Sequence, residues 1–226
     1  MSLTYVIPDI HGRSDLLRDG LALIAAHARG GHGSLVALGD YVNKGPDSKT
    51  VIELLRADPL PGWPFVALKG NHDLMMVEAL RDSSKMQGWL ERGGDTTLAS
   101  YGGDPSNVPS GDIEWLDGLA LIHVDRHRIY VHAGLDRDLP LDRQSEKTLL
   151  TKRYPIGDRS DFGGRHVVHG HDSQADGPKL YEGRSNLDTQ AWRTGRLVIA
   201  VFDDDRPGGP IDFITVQGEP APAKTL

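Results

Sequence analysis

Five stretches of the chain follow one pattern, in which a short apolar run empties into a glycine-containing loop bearing Asp, His or Asn. They are Tyr5-Val-Ile-Pro-Asp-Ile-His-Gly12, Val36-Ala-Leu-Gly-Asp40, Val66-Ala-Leu-Lys-Gly-Asn-His-Asp73, Tyr130-Val-His-Ala-Gly134 and Val167-Val-His-Gly-His171. Asp9 and His11 stand two apart, so in an extended segment both side chains project to the same side and can hold one ion together. Asp40 has two oxygens and can bridge that ion to a neighbour, which Asn71, His132 and His171 would complete. Such a set of nitrogen and oxygen ligands without sulfur suits Mn, Fe or Zn better than Mg or Ca alone. Taken singly, Asp-x-His reads as a turn or capping pair, and Asn-His-Asp as the cap of a following helix. Five such loops at strand ends make a shared metal site the better reading.

The elements that must position these residues alternate in type. Leu3 to Ile7 reads as a buried strand, followed by Leu16, Leu17, Leu21, Ile24 and Ala28 at helical spacing. Ser34 to Leu38 is a second strand, Ser48 to Arg56 a second helix, and Phe65 to Leu68 a third strand that runs into Lys69-Gly-Asn-His-Asp73. This order predicts a mostly parallel sheet covered by helices, whose strand ends converge on one crevice. Between residues 74 and 118 the text turns into helical fragments broken at Gly93-Gly94, Gly102-Gly103 and Pro109-Ser-Gly111, which reads as an inserted helical cap. Strands resume at Leu119 to Val124 and Arg128 to His132 as a hairpin, then at Val167 to His169, Leu197 to Phe202 and Ile211 to Val216. One domain over 1–217 and a flexible tail over 218–226 are expected. His27, His32, His123, His127 and His166 belong to no motif and read as structural or solvated. Asp203-Asp-Asp205 reads as a solvated turn, and Asp73, Asp136 and Asp138 as candidates to orient a histidine.

The totals set outer bounds. With 25 Lys+Arg against 32 Asp+Glu the formal charge is -7, which argues against an extended grip on nucleic acid. The chain has no cysteine, so disulfides and thiolate metal sites are excluded. No apolar run reaches the length of a membrane span, and the first residues lack a basic n-region and a long h-region, so a cytoplasmic location is expected.

In this order DIHG, GDYVNKGP, GNHD, HAG and GH resemble the calcineurin-like metallophosphoesterases, specifically the branch of phosphoprotein phosphatases and symmetrical diadenosine tetraphosphatases. The resemblance runs from about Tyr5 to Phe202 and includes Asn186-Leu-Asp-Thr-Gln-Ala-Trp-Arg-Thr-Gly-Arg-Leu197. It implies an α/β fold, a four-layer α/β/β/α sandwich with an inserted helical cap. It also implies two divalent metal ions, manganese first, with zinc or iron as alternatives. Asp9, His11 and Asp40 would hold the first metal, and Asp40, Asn71, His132 and His171 the second. His72 would be the general acid. Arg153 matches the arginine that grips phosphate in the family's LLWIR-like stretch, with Thr151 and Lys152 standing where tryptophan and isoleucine are usual.

The loop around Asn43 departs from the protein-phosphatase pattern VDRG and reads VNKG. Asn43 would accept a hydrogen bond from the His72 ring but could not stabilise an imidazolium as the usual aspartate does. Lys44 keeps positive charge without the bidentate fork of arginine, and Lys69 is a second point charge expected to meet phosphate. A weaker acid matters least when the leaving group departs as a phosphate or nucleotide with a second pKa of about 6. The loop therefore tilts the expectation toward phosphoanhydrides such as dinucleoside polyphosphates. A serine/threonine or broad phosphomonoester phosphatase is the alternative, and a non-catalytic phosphate-binding module comes third. Expected partners are accordingly a phosphorylated small molecule, a nucleotide or a phosphoprotein.

Overall fold

The computed structural model describes residues 2–155, 158 and 161–221. Strands β1 (Leu3–Ile7), β2 (Ser34–Ala37) and β3 (Phe65–Ala67) pair in parallel and are joined by helices α1 (Ser14–His27) and α2 (Ser48–Arg56). Asp47 caps α2 by accepting the Thr50 amide hydrogen at 3.2 Å. The helical stretch that follows contains α3 (Asn71–Arg81), α4 (Met86–Trp89), α5 (Asp95–Ser100) and α6 (Ser110–Asp117).

The second half supplies β4 (Ile122–Val124), β5 (Arg128–Val131), α7 (Glu146–Thr151), β6 (His166–His169), β7 (Lys179–Tyr181), β8 (Arg184–Asn186), α8 (Ala191–Thr194), β9 (Arg196–Asp203) and β10 (Asp212–Gln217). Together with β1, β2 and β3 these strands form two mixed five-stranded sheets, β10-β9-β1-β2-β3 and β4-β5-β6-β8-β7.

Side-chain alternation along the strands makes the layers. Tyr5, Ile7, Leu35, Ala37, Ile199 and Val201 point outward into a core shared with α1, α2 and the helical stretch. Their neighbours Val6, Val36, Ala200 and Phe202 point inward and meet Tyr130, Val168 and Leu187 of the other sheet. Ile129, Val131 and Val167 face the opposite way and pack against Leu149 of α7. The result is helix, sheet, sheet, helix. Each such side chain taken from water contributes roughly 1.5–3 kcal/mol.

The helical stretch is helical where expected, and Met76, Val77, Trp89, Leu98 and Leu116 are buried in the core cluster of the first sheet's outer face. Helix α3 starts at Asn71, ahead of the stretch from residue 74 that was expected to be helical, which puts Asn71 and His72 in its first turn. The expected strand over Leu119 to Val124 is shorter. Ala120 makes only a bridge to Leu68, its carbonyl accepting the Lys69 amide hydrogen at 2.8 Å, and pairing with β5 begins at Ile122. The hairpin of β7 and β8 has no counterpart in the apolar pattern, because each strand is three residues long and β8 reads Arg-Ser-Asn. At the carboxyl end, Gly218 and Ala221 donate backbone hydrogen bonds to Gly195 and Arg193. Residues 222–226 of the expected tail lie outside the described residues.

Candidate metal centre

Every predicted ligand follows the carboxyl end of a strand: Asp9 and His11 follow β1, Asp40 follows β2, Asn71 follows β3, His132 follows β5 and His171 follows β6. Three of those strands belong to one sheet and two to the other, so the site sits where the sheets share an edge. The His132 Nδ1 lies 3.0 Å from the Leu38 carbonyl and the His11 Nδ1 lies 2.8 Å from the Val42 carbonyl. Each ring donates there and turns an unprotonated Nε2 inward. Asp40 then faces both rings, with Oδ2 3.4 Å from His11 Nε2 and Oδ1 3.5 Å from His132 Nε2. Asn71 Oδ1 lies 3.0 Å from His132 Nε2 and 2.9 Å from His171 Nδ1.

Among the described residues, two groups of donor atoms lie within 4.8 Å of one another: Asp40 with His132 and His171, and Asp40 with His11 and His72. The first matches the expected second metal position. The second contains His72 where Asp9 was expected. Asp9 lines the same cavity, but both its carboxylate oxygens lie 3.2 Å from the His171 amide nitrogen. The extended Asp9–His11 segment is also corrected, since His11 has φ 46° and turns back on itself.

Left-handed backbone recurs at the site. Among the described residues with positive φ other than glycine are His11, Asp40 (54°), Asn43 (72°), Lys44 (70°) and His171 (63°). Each such residue costs on the order of 1 kcal/mol, which the surrounding packing must offset. Gly70 shows how tight that packing is, because a Cβ there would collide with the Asp40 backbone and carboxylate. Asp73 supplies the fastening. Its carboxylate accepts the amide hydrogens of Asp40, Tyr41 and Gly70 at 2.8–2.9 Å, so it fixes the two loops to each other rather than orienting a histidine. Asp136 likewise accepts a backbone amide, that of Asp138, at 3.1 Å.

The charges fit a divalent cation. Burial pushes Asp40 up to about 7, and burial with the neighbouring Asp188 and Asp40 carboxylates pushes Asp9 well above the ordinary range. Burial lowers His132 to about 4 and His171 to about 3, and lowers His11 well below its ordinary value, so the ring lone pairs are free at neutral pH. Buried carboxylates crowded together beside neutral imidazoles and an amide oxygen are a donor set that a cation satisfies. Lys44 already places an ammonium 2.9 Å from His11 Nε2.

Asn43 is fully buried, and its orientation is set from behind. The indole Nε1–H of Trp89, which can only donate, lies 2.9 Å from Asn43 Oδ1, and the Thr97 hydroxyl donates to the same oxygen at 3.0 Å. The amide nitrogen therefore faces His72 Nδ1 at 2.8 Å and donates to it. This reverses the expectation that Asn43 accepts from the ring. His72 carries its proton on the nitrogen away from Asn43, and burial lowers its pKa to about 2.

The remaining expected contacts divide. Lys44 and Arg153 line the cavity, which is about 340 Å³, and Arg153 lies 3.6 Å from Asp172. Lys69 does not line it. Its buried ammonium donates to the Asp117 carbonyl at 2.7 Å, at the carboxyl end of α6, where a helix favours a cation. Lys69 is thus tied to α6 and lies outside the cavity lining where it was expected to meet phosphate.

Pattern reading missed Trp89, Arg92 and Thr97, which reach the site from the helical stretch, and Ser173, which donates to the buried Asp188 at 2.5 Å. Asp203 is also buried, at the end of β9, rather than part of a solvated turn.

Comparisons with known proteins agree with this geometry. The model of the calcineurin-like phosphoesterase family matches residues 3–202. Serine/threonine-protein phosphatase 2 of Escherichia coli (strain K12) is 34% identical over 91 residues, covering 40% of this chain and 38% of that protein. The symmetrical bis(5'-nucleosyl)-tetraphosphatase of Nitrosomonas europaea (strain ATCC 19718 / CIP 103999 / KCTC 2705 / NBRC 14298) is 32% identical over 170 residues, covering 71% of this chain and 57% of that protein. The chain thus spans about half or less of the length of these relatives. A crystal structure provisionally described as that of a diadenosine tetraphosphatase superposes with a TM-score of 0.69 at 29% identity, covering 96% of this chain and 94% of the other. Among the described residues no helix is long and apolar enough to cross a membrane. With the family model matched over residues 3–202 of its 226, the chain belongs to the calcineurin-like phosphoesterases, a family of metal-dependent phosphohydrolases.

Proposed function

We propose that this protein is a phosphohydrolase using two divalent cations, manganese first, and that it prefers phosphoanhydrides such as dinucleoside polyphosphates. Asp9, His11 and Asp40 would hold one cation, and Asp40, Asn71, His132 and His171 the other. When bound, the cations supply an activated water and neutralise charge on the phosphoryl oxygens.

The chain's own residues do the rest. Lys44 and Arg153 offer positive charge at the cavity wall to orient the phosphoryl group. His72 presents an N–H as a hydrogen-bond donor to the departing oxygen. The single observation that carries the substrate class is the direction of the Asn43–His72 hydrogen bond. Protonating His72 would set an N–H against the amide N–H of Asn43, and rotating the amide would break its bonds to Trp89 and Thr97. A histidine held neutral in this way is a poor proton donor. A serine alkoxide needs a proton to leave, whereas a phosphate or nucleotide leaves as a stable anion.

The match to a serine/threonine-protein phosphatase over 91 residues favours a second reading, hydrolysis of phosphoproteins or phosphomonoesters. Turnover of diadenosine tetraphosphate and of a phosphoserine peptide, measured side by side with manganese, separates the two. A higher kcat/KM for the dinucleotide supports the proposal, and a large preference for the peptide ends it.

A further inference from the structure

Arg92 is the cation for which neither the family motifs nor the metal cluster accounts. It lines the same cavity as Asp40, His72 and Lys44, but from the helical stretch rather than from a strand end. Its backbone sits at a kink, with φ -101° and ψ 19°, and the next residue, Gly93, has φ 92°. That kink is docked on the catalytic loop. The Lys44 amide donates to the Gly93 carbonyl at 3.1 Å, and a Cβ on Gly93 would lie 2.8 Å from the Lys44 nitrogen, so only glycine allows the approach. Trp89 and Thr97, on either side of the kink, are bonded to Asn43. The segment carrying Arg92 is therefore fixed to the loop that holds His72.

The guanidinium donates to the Gly88 carbonyl at 2.9 Å, and among the described residues no carboxylate lies within ion-pair distance of it. Arg92 and Met75 also line a neighbouring depression bounded by Glu78, Lys85 and Trp89, so Arg92 stands on the ridge between the metal cavity and a second space. His72 marks the side from which the leaving group departs. A cation on that side, lacking a carboxylate partner, suits a leaving group that accumulates negative charge.

We infer that Arg92 is a specificity-determining residue that binds the departing phosphate of a polyphosphate chain, with the remainder of the leaving group directed over the ridge. This rests on the phosphoanhydride reading above. The planar guanidinium can grip a phosphate with two N–H groups, and its charge strengthens the interaction as the bridging bond breaks. A simple phosphomonoester offers no second phosphate to hold.

The test compares wild type, Arg92→Ala and Arg92→Lys on diadenosine tetraphosphate and p-nitrophenyl phosphate with manganese. Arg92→Ala is expected to lose about tenfold more kcat/KM on the dinucleotide than on the monoester, the scale of one charge-assisted hydrogen bond, with Arg92→Lys recovering part of it. A second readout needs no anhydride turnover. Diadenosine tetraphosphate should inhibit p-nitrophenyl phosphate cleavage, and Arg92→Ala should raise the inhibitory concentration about tenfold. Equal losses on both substrates, with unchanged inhibition, overturn the role of Arg92 and leave the anhydride reading intact. Wild type that prefers the monoester overturns the anhydride reading, and the inhibition experiment then still decides whether Arg92 binds the chain.

Discussion

Asn43→Asp isolates the group that sets the chemistry of His72. Trp89 and Thr97 would keep one carboxylate oxygen occupied, and the other would replace the amide nitrogen 2.8 Å from His72 Nδ1. That oxygen can only accept, so His72 must carry a proton on Nδ1, and an imidazolium gains a buried charged partner. A hydrogen bond to a charged group contributes about 1.5–3 kcal/mol, which corresponds to roughly a 10- to 150-fold gain in proton donation. The gain applies where the leaving group needs a proton. The expected result is a rise of about tenfold or more in kcat/KM for a phosphoserine peptide, with diadenosine tetraphosphate changing by less than about threefold. Steady-state kinetics with manganese on both substrates, alongside metal content by mass spectrometry, provide the assay. Equal changes on the two substrates at unchanged metal content would refute the leaving-group reasoning.

Two further outcomes concern residues outside the cavity lining. Lys69→Met removes the tie to the end of α6, so it should cost about 1–3 kcal/mol in urea denaturation while leaving KM near the wild-type value. A severalfold rise in KM without loss of stability would instead return Lys69 to the phosphate. His166 lies outside the metal cluster, bonded to Ser185 Oγ at 2.8 Å, and burial lowers its pKa to about 4. The unfolded chain takes up this proton first as pH falls below about 6.5, so stability is full above that pH and declines toward pH 4. In this window the histidine accounts for up to about 1.4 kcal/mol per pH unit, and His166→Gln should flatten the slope by about that amount. Urea titrations between pH 5 and 7 read this directly, and an unchanged slope would contradict it.

The strand ends were legible because a buried parallel strand is a continuous apolar run and its ligands lie just beyond it, as with Val36 to Asp40 and Val167 to His171. Period-two packing of Val6 between Tyr5 and Ile7 was implicit in the same runs. What escaped has a physical cause in each case. The hydrogen-bond polarity at Asn43 is set by Trp89, 46 positions away, and a donor at that distance leaves no local trace. Lys69 precedes the ligand Asn71 by two residues, yet its four-carbon stem turns to α6, and sequence proximity does not give side-chain direction. The left-handed turn at His11 broke the extended geometry that alternation assumes. Strand β8 is buried although it is polar, because Arg184 stacks on Tyr181 with 3.6 Å to the ring centre and Ser185 is bonded to His166.

The most direct test of the central claim is the metal content of the purified protein, set against its activity before and after chelation. Two equivalents of divalent cation per chain are expected, falling in Asp40→Asn because one carboxylate faces both positions, with hydrolysis lost on chelation and restored by manganese. Demetallated protein that cleaves diadenosine tetraphosphate at its original rate, or Asp40→Asn that retains both equivalents, would contradict the account.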